Sequence, residues 1–116
     1  MCTTIGFHYN KGIVFGRTLE LGMKLDHKIL FVPKNSVGFI QTNKESLDSK
    51  YSTLGTGFFD IASFGDGINE MGLVASSNFL PGYATFSKDP VEGKINLITS
   101  DAFDYLLTRC KDVSEV

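Results

Sequence analysis

A turn signal at Asn10-Lys11-Gly12 separates two strand-like runs, Thr3 to Tyr9 and Gly12 to Leu19, and this opening β-hairpin constrains the fold more than any other feature. Ile5 and Phe7 share one face of the first run, and Ile13 and Phe15 share one face of the second. With two or three of Asn10–Gly12 forming the turn, paired positions sum to between 21 and 23, so residue 2 lies opposite residue 19, 20 or 21. Directly opposed residues have Cβ atoms about 5 Å apart and diagonal ones about 7–8 Å. Arg17 and Glu20 therefore come within side-chain reach of Cys2. Strict alternation would put those two on opposite faces, which requires a bend near Thr18 or Leu19.

Cys2 follows the initiator methionine directly. Removal of a first methionine favours a small second residue, and would leave Cys2 with a thiol and a free α-amine on one residue. An α-amine titrates at about 7.7–8.0, so it can serve as the base for its own thiol near neutral pH. The guanidinium of Arg17 favours thiolate over thiol, and the carboxylate of Glu20 can orient the amine. The competing reading is a small residue in a first strand beside a surface Arg–Glu pair, which contributes little to stability.

Further strands are expected at Lys28–Val32, Val37–Thr42, Thr53–Phe59 and Gly72–Asn78, with the polar stretch Asn43–Tyr51 as an exposed loop. Asp66-Gly67-Ile68-Asn69-Glu70 reads as a tight turn in which Asp and Asn bond their own backbone and Gly67 takes a positive φ. Near the end the period changes. Phe103, Leu106, Leu107 and Cys110 fall at i, i+3, i+4 and i+7, the stripe of an amphipathic helix. Thr99 or Ser100 is the expected N-cap, Asp101 and Asp104 suit the first turn, and Asp112 with Glu115 forms a capping-box pattern for a second helix.

The charge balance, 11 basic against 13 acidic residues, gives a net −2, and no run of Lys or Arg exceeds one residue. Nothing here attracts nucleic acid or an anionic membrane. No 18-residue apolar run is present, and the expectation is a soluble, cytoplasmic chain. Cys2 and Cys110 are the two cysteines, and His8 and His27 have no zinc-like spacing to other ligands, so neither a disulfide framework nor a metal site is expected. Gly55-Thr56-Gly57 and Gly65-Asp66-Gly67 are not dinucleotide fingerprints.

Four stretches occur in order: Met1-Cys2-Thr3; Phe15-Gly16-Arg17-Thr18-Leu19-Glu20; Asp66-Gly67-Ile68-Asn69-Glu70-Met71-Gly72-Leu73; and Asn78-Phe79-Leu80-Pro81-Gly82-Tyr83-Ala84. Together they resemble the choloylglycine hydrolase family, the conjugated bile salt hydrolases and penicillin V acylases. Ser100–Val116 resembles the family's helix and its Cys-x-x-Val-x-Glu-Val continuation. The resemblance implies an α+β chain, the N-terminal portion of an N-terminal-nucleophile hydrolase αββα sandwich, with mainly antiparallel strands and one helix near the C-terminus. Residues 1–116 would then form a single incomplete domain.

Carried over by position, the resemblance implies Cys2 as nucleophile, Arg17 lining the site, Glu20 orienting the amine and Asn78 helping to form the oxyanion hole. Glu20 stands where bile salt hydrolases usually have Asp, one methylene shorter. Asn78 stands where many penicillin V acylases have Tyr. Met23, Phe59 and Ile61 are candidate contacts for an apolar acyl group. A second oxyanion-hole Asn and a second Arg of the family lie beyond Val116. The implied reaction is hydrolysis of a linear amide in a small N-acyl amide substrate through a thioester, with no metal or organic cofactor. The alternative is a truncated, catalytically inactive remnant whose unpaired strands and uncovered apolar faces favour homo-oligomers. On either reading, the 116 residues alone are expected to be inactive.

Overall fold

The structure, a computed structural model, describes the chain except for residues 1, 21, 23, 25, 41–44 and 59–62. The opening hairpin forms as its turn predicts: β1 (Thr3–Tyr9) pairs antiparallel with β2 (Gly12–Thr18) across Asn10-Lys11. Thr3 lies opposite Thr18 and Tyr9 opposite Gly12, so paired positions sum to 21. Five of the remaining strands are β3 (His27–Val32), β4 (Val37–Ile40), β5 (Glu45–Asp48), β6 (Thr53–Phe58) and β7 (Ser63–Asn69). The last is β8 (Val74–Ser76), followed by the helix α1 (Thr99–Arg109). Strands β3, β6, β7 and β8 form one antiparallel sheet in that order, and β4 pairs with β5 separately.

Three layers result. Helix α1 covers one face of the four-stranded sheet, where Phe64, Leu73, Leu107 and Cys110 are buried. Glycine makes this close approach possible: a Cβ at Gly67 would stand 3.1 Å from Leu107 Cδ1 of the helix. Asn69 ties the layers together. Its Nδ2 donates to the carbonyls of Leu107 (3.0 Å) and Cys110 (2.7 Å), and its Oδ1 accepts from the Met71 and Leu73 amides (3.0 Å each). One buried side chain thus satisfies carbonyls at the helix end, which have no partner within the helix, and shapes the β7–β8 turn.

On the opposite face the rows Ile29–Thr56–Asp66–Ser76 and Phe31–Leu54–Ile68–Val74 stand side by side. The β1–β2 hairpin lies over part of this face and leaves the rest open. Ile29 is 78% exposed and Phe31 62%. A cavity of about 980 Å³ runs between Ile13 and Phe15 of the hairpin and Ile29, Leu54, Ile68 and Val74 of the sheet.

Several local expectations need correction. Asp66 is not in a turn but within β7, and the turn falls at Glu70–Gly72, where Gly72 has φ 86°. Asp-Gly chemistry suits a turn, but pairing of Asp66 with Thr56 on one side and Ser76 on the other holds it extended. The polar stretch 43–51 is not simply a loop, since β5 pairs along β4. At its base Ser49 is buried, its Oγ donating to Pro33 O (2.7 Å) and accepting from Ser36 N (2.9 Å). The helix starts one residue early: Ile98 is its N-cap, without a side-chain cap bond, and Thr99 and Ser100 lie inside it. Asp112 and Glu115 organise only a short 3-10 turn, Val113–Glu115. There the Asp112 carboxylate accepts from Ser114 N (3.0 Å), and Glu115 accepts from Lys111 N (2.8 Å).

Candidate active site

Cys2 immediately precedes β1, and the register places it opposite Leu19, just past the end of β2. The same register puts Cys2, Thr4 and Arg17 on one face of the hairpin, the face turned toward the four-stranded sheet. Thr18 closes the end of the ribbon by accepting the Thr3 amide on its Oγ1 (3.1 Å). Beyond it the chain leaves the strand geometry, and Glu20 returns to Cys2 through its backbone.

Cys2 is half-buried. Its pKa is drawn below that of an ordinary thiol, first by the Glu20 backbone N–H and against the opposing effect of burial. The Arg17 guanidinium and the Phe79 backbone N–H act in the same direction, and the Arg17 charge adds to the effect. Donors that stabilise a thiolate over a thiol make a better nucleophile near neutral pH. Glu20 therefore contributes to the thiol through its main chain, whereas sequence spacing pointed only to its carboxylate.

Arg17 is the most enclosed charge of the site, its side chain 7% exposed. Its Nη1 donates to Gly65 O and to Asp66 Oδ2, both at 3.2 Å, and Thr56 Oγ1 donates to the other carboxylate oxygen at 2.8 Å. Behind the guanidinium is a hollow of about 320 Å³ bordered by Leu19, His27, Ser63, Phe79 and Phe103. The larger cavity between the layers does not include Cys2.

Asn78 lies just past β8, an exposed residue whose amide meets Thr4. Its Nδ2 is 3.0 Å from Thr4 Oγ1 and its Oδ1 3.2 Å, while Thr4 Oγ1 is also 2.8 Å from Ser76 Oγ. This clasp joins the strand that follows Cys2 to the segment whose next residue, Phe79, favours the thiolate through its backbone N–H. The structure thus gathers Cys2, Arg17, the Glu20 backbone and the Asn78–Phe79 segment into one corner. Met23, Phe59 and Ile61 lie outside the described residues. Among the described residues no group of His, Cys, Asp and Glu is placed to hold a metal ion.

Known proteins resemble this chain in sequence and in fold. The profile of the linear amide C–N hydrolases, choloylglycine hydrolase family, matches residues 2–116. The chain belongs to the choloylglycine hydrolase family. It is 34% identical to the bile salt hydrolase/transferase of Clostridium perfringens, a match over all of this chain and 36% of that protein. The conjugated bile acid hydrolase of Lactobacillus gasseri is 31% identical over all of this chain and 37% of its own length. In structure, the C2A mutant of the C. perfringens conjugated bile acid hydrolase superposes with a TM-score of 0.88 and 30% identity, over 99% of this chain and 36% of that one. An arginine-to-leucine variant of the same enzyme gives 0.86, with the same identity and coverage. The chain spans little more than a third of these relatives and corresponds to their N-terminal part, mostly antiparallel strands with one helix.

Within this choloylglycine hydrolase portion, sequence reasoning missed Asp66, Thr4 and the Phe79 amide. Asp66 was hidden by its glycine neighbours, which imitate a turn. A buried arginine that must find a carboxylate was the signal available for it. Thr4 was accessible in principle, two residues from Cys2 on the same strand face. The Phe79 amide carries no sequence signal, because every residue but proline has one.

Proposed function

We propose that this chain carries the nucleophilic half of a cysteine amidase acting on linear amides of the conjugated bile salt type. Penicillin V and related N-acyl amides are the other candidate substrates. The observation that supports this reading is a half-buried thiol at position 2, drawn toward thiolate by the Glu20 amide and the Arg17 guanidinium. With Met1 removed, the α-amine of Cys2 takes the thiol proton as sulfur attacks the substrate carbonyl. The tetrahedral oxyanion collapses to a thioester as the protonated amine passes its proton to the leaving nitrogen, and the same amine then activates water. Asn78 and the Phe79 amide border the space in which that oxyanion develops. The names of the relatives favour conjugated bile salts.

A second reading has its own support, since the chain spans only about 36% of those relatives. On that reading residues 1–116 fold but do not turn over substrate, because the family's second oxyanion donor and second arginine lie in the part of those relatives that this chain does not span. Removal of one oxyanion-hole donor typically costs about 10²–10³ in rate. Intact mass and site-resolved alkylation separate the two. Loss of Met1 with rapid modification of Cys2 supports the nucleophile; retention of Met1 with an inert thiol supports the non-catalytic chain. Covalent acylation of Cys2 by a conjugated bile salt is expected to be very slow in residues 1–116 and lost in Cys2→Ala.

A further inference from the structure

We infer that Asp66 is a positioning residue for the nucleophile: its carboxylate, itself oriented by Thr56, holds the Arg17 guanidinium against the Cys2 sulfur. This inference rests on the reading of Cys2 as the nucleophile. Three strands converge to make the arrangement. Thr56 of β6 and Asp66 of β7 are direct partners in the sheet, at the last regular pair before the ladder shifts between Thr56 and Gly57. That pairing sets Thr56 Oγ1 2.8 Å from Asp66 Oδ1 and leaves Oδ2 for Arg17 of β2 at 3.2 Å.

An arginine this enclosed needs acceptors, and the described ones are Asp66 and the Gly65 carbonyl, both reached by Nη1. Nη1 is thereby anchored to β7, and the hairpin register, with Thr4 opposite Arg17, sets Cys2 diagonal to Arg17 on the same face. Among the described residues, the other titratable groups bordering this corner are Glu20, beyond β2, and His27 of β3, which borders the same hollow as Arg17.

The sign of one measurement separates positioning from simple charge. A carboxylate beside Arg17 offsets its positive charge, so as a charge alone Asp66 works against the thiolate, and its removal would make Cys2 more acidic. As an anchor it keeps the guanidinium in contact, and its removal lets Arg17 move off and makes Cys2 less acidic. The test is the pH dependence of iodoacetamide alkylation at Cys2 in the 116-residue chain. Peptide mass spectrometry keeps Cys110 from contributing, and melting curves report folding.

Asp66→Asn is expected to move the midpoint upward and slow alkylation at pH 7 by about tenfold, which corresponds to one pH unit. Thr56→Val leaves both charges in place and is expected to move the midpoint the same way by less, so the test survives if Asp66→Asn does not fold. A downward or absent shift in folded Asp66→Asn, or an unchanged midpoint in Thr56→Val, overturns the inference and leaves the nucleophile reading intact. A wild-type midpoint at the value of an ordinary thiol overturns both.

Discussion

The two cysteines sit at opposite ends of the chain, and their surroundings push the same side chain in opposite directions. Cys2 lies at a corner where backbone amides and a guanidinium converge, and its thiol is more acidic than usual. Cys110 lies at the seam between α1 and the sheet, 4% exposed, and burial pushes its thiol up, with Glu115 adding to the effect. The Cys110 sulfur donates to the Glu115 carbonyl at 3.6 Å. Reactivity here is set by the number of donors aimed at sulfur, which a count of cysteines does not reveal. The seam is built for packing and the corner for charge.

Four experiments bear on that contrast. The largest effect is expected from Asn69→Ala, which removes four hydrogen bonds from the seam. A loss of about 3–4 kcal/mol is expected by denaturant unfolding, with Cys110 becoming accessible to thiol reagents in proportion. Equal stability to the wild type would show that the seam does not depend on this side chain. Next, wild-type Cys2 should react with iodoacetamide roughly a hundredfold faster than Cys110 at pH 7, combining greater thiolate fraction with greater access. Equal rates would erase the contrast.

Asp104 tests the seam by pH. Its carboxyl is pushed up to about 6, chiefly by burial and also by the Asp101 charge, while the Phe64 amide it accepts at 3.0 Å acts in the other direction. Because the folded value lies above that of an unfolded aspartate, the stabilising contribution is complete below about pH 4 and is lost as pH rises through about 6. Thermal stability should therefore fall between pH 4 and 7. Asp104→Asn should flatten that slope and gain on the order of 1–2 kcal/mol at pH 7. A slope unchanged in the variant would assign the pH dependence elsewhere. The smallest effect belongs to the corner. Thr4→Val breaks the clasp on Asn78 and should slow Cys2 alkylation a few-fold, with Thr4→Ser near wild type. Equal slowing by the two variants would point to β1 packing rather than to the hydroxyl.

Much of the fold was legible because its signals are local. A two-residue turn between alternating runs sets a register, and the sum of 21 brings Cys2 and Arg17 to one face. Spacing at i, i+3, i+4 and i+7 marked the helix, whose buried Leu107 and Cys110 belong to that stripe. Where the reading went astray, long-range pairing outweighed local preference. Asp66 was held extended by neighbours on both sides, β5 was created by β4, and Ile98 became the N-cap because the helix docks on β7 and β8.

The order of residues alone determined the hairpin, the terminal helix, the position of the thiol beside an arginine, and the family to which four motifs point. Tertiary structure decided what surrounds the thiol: the Glu20 main-chain amide, the Phe79 amide brought from 77 positions away, and Arg17 tied down by Asp66. The reason is that periodicity encodes which face a side chain takes within its own element. Which donors from distant elements meet at a point depends on how layers stack, and that is settled only when the whole sheet, helix and hairpin pack together.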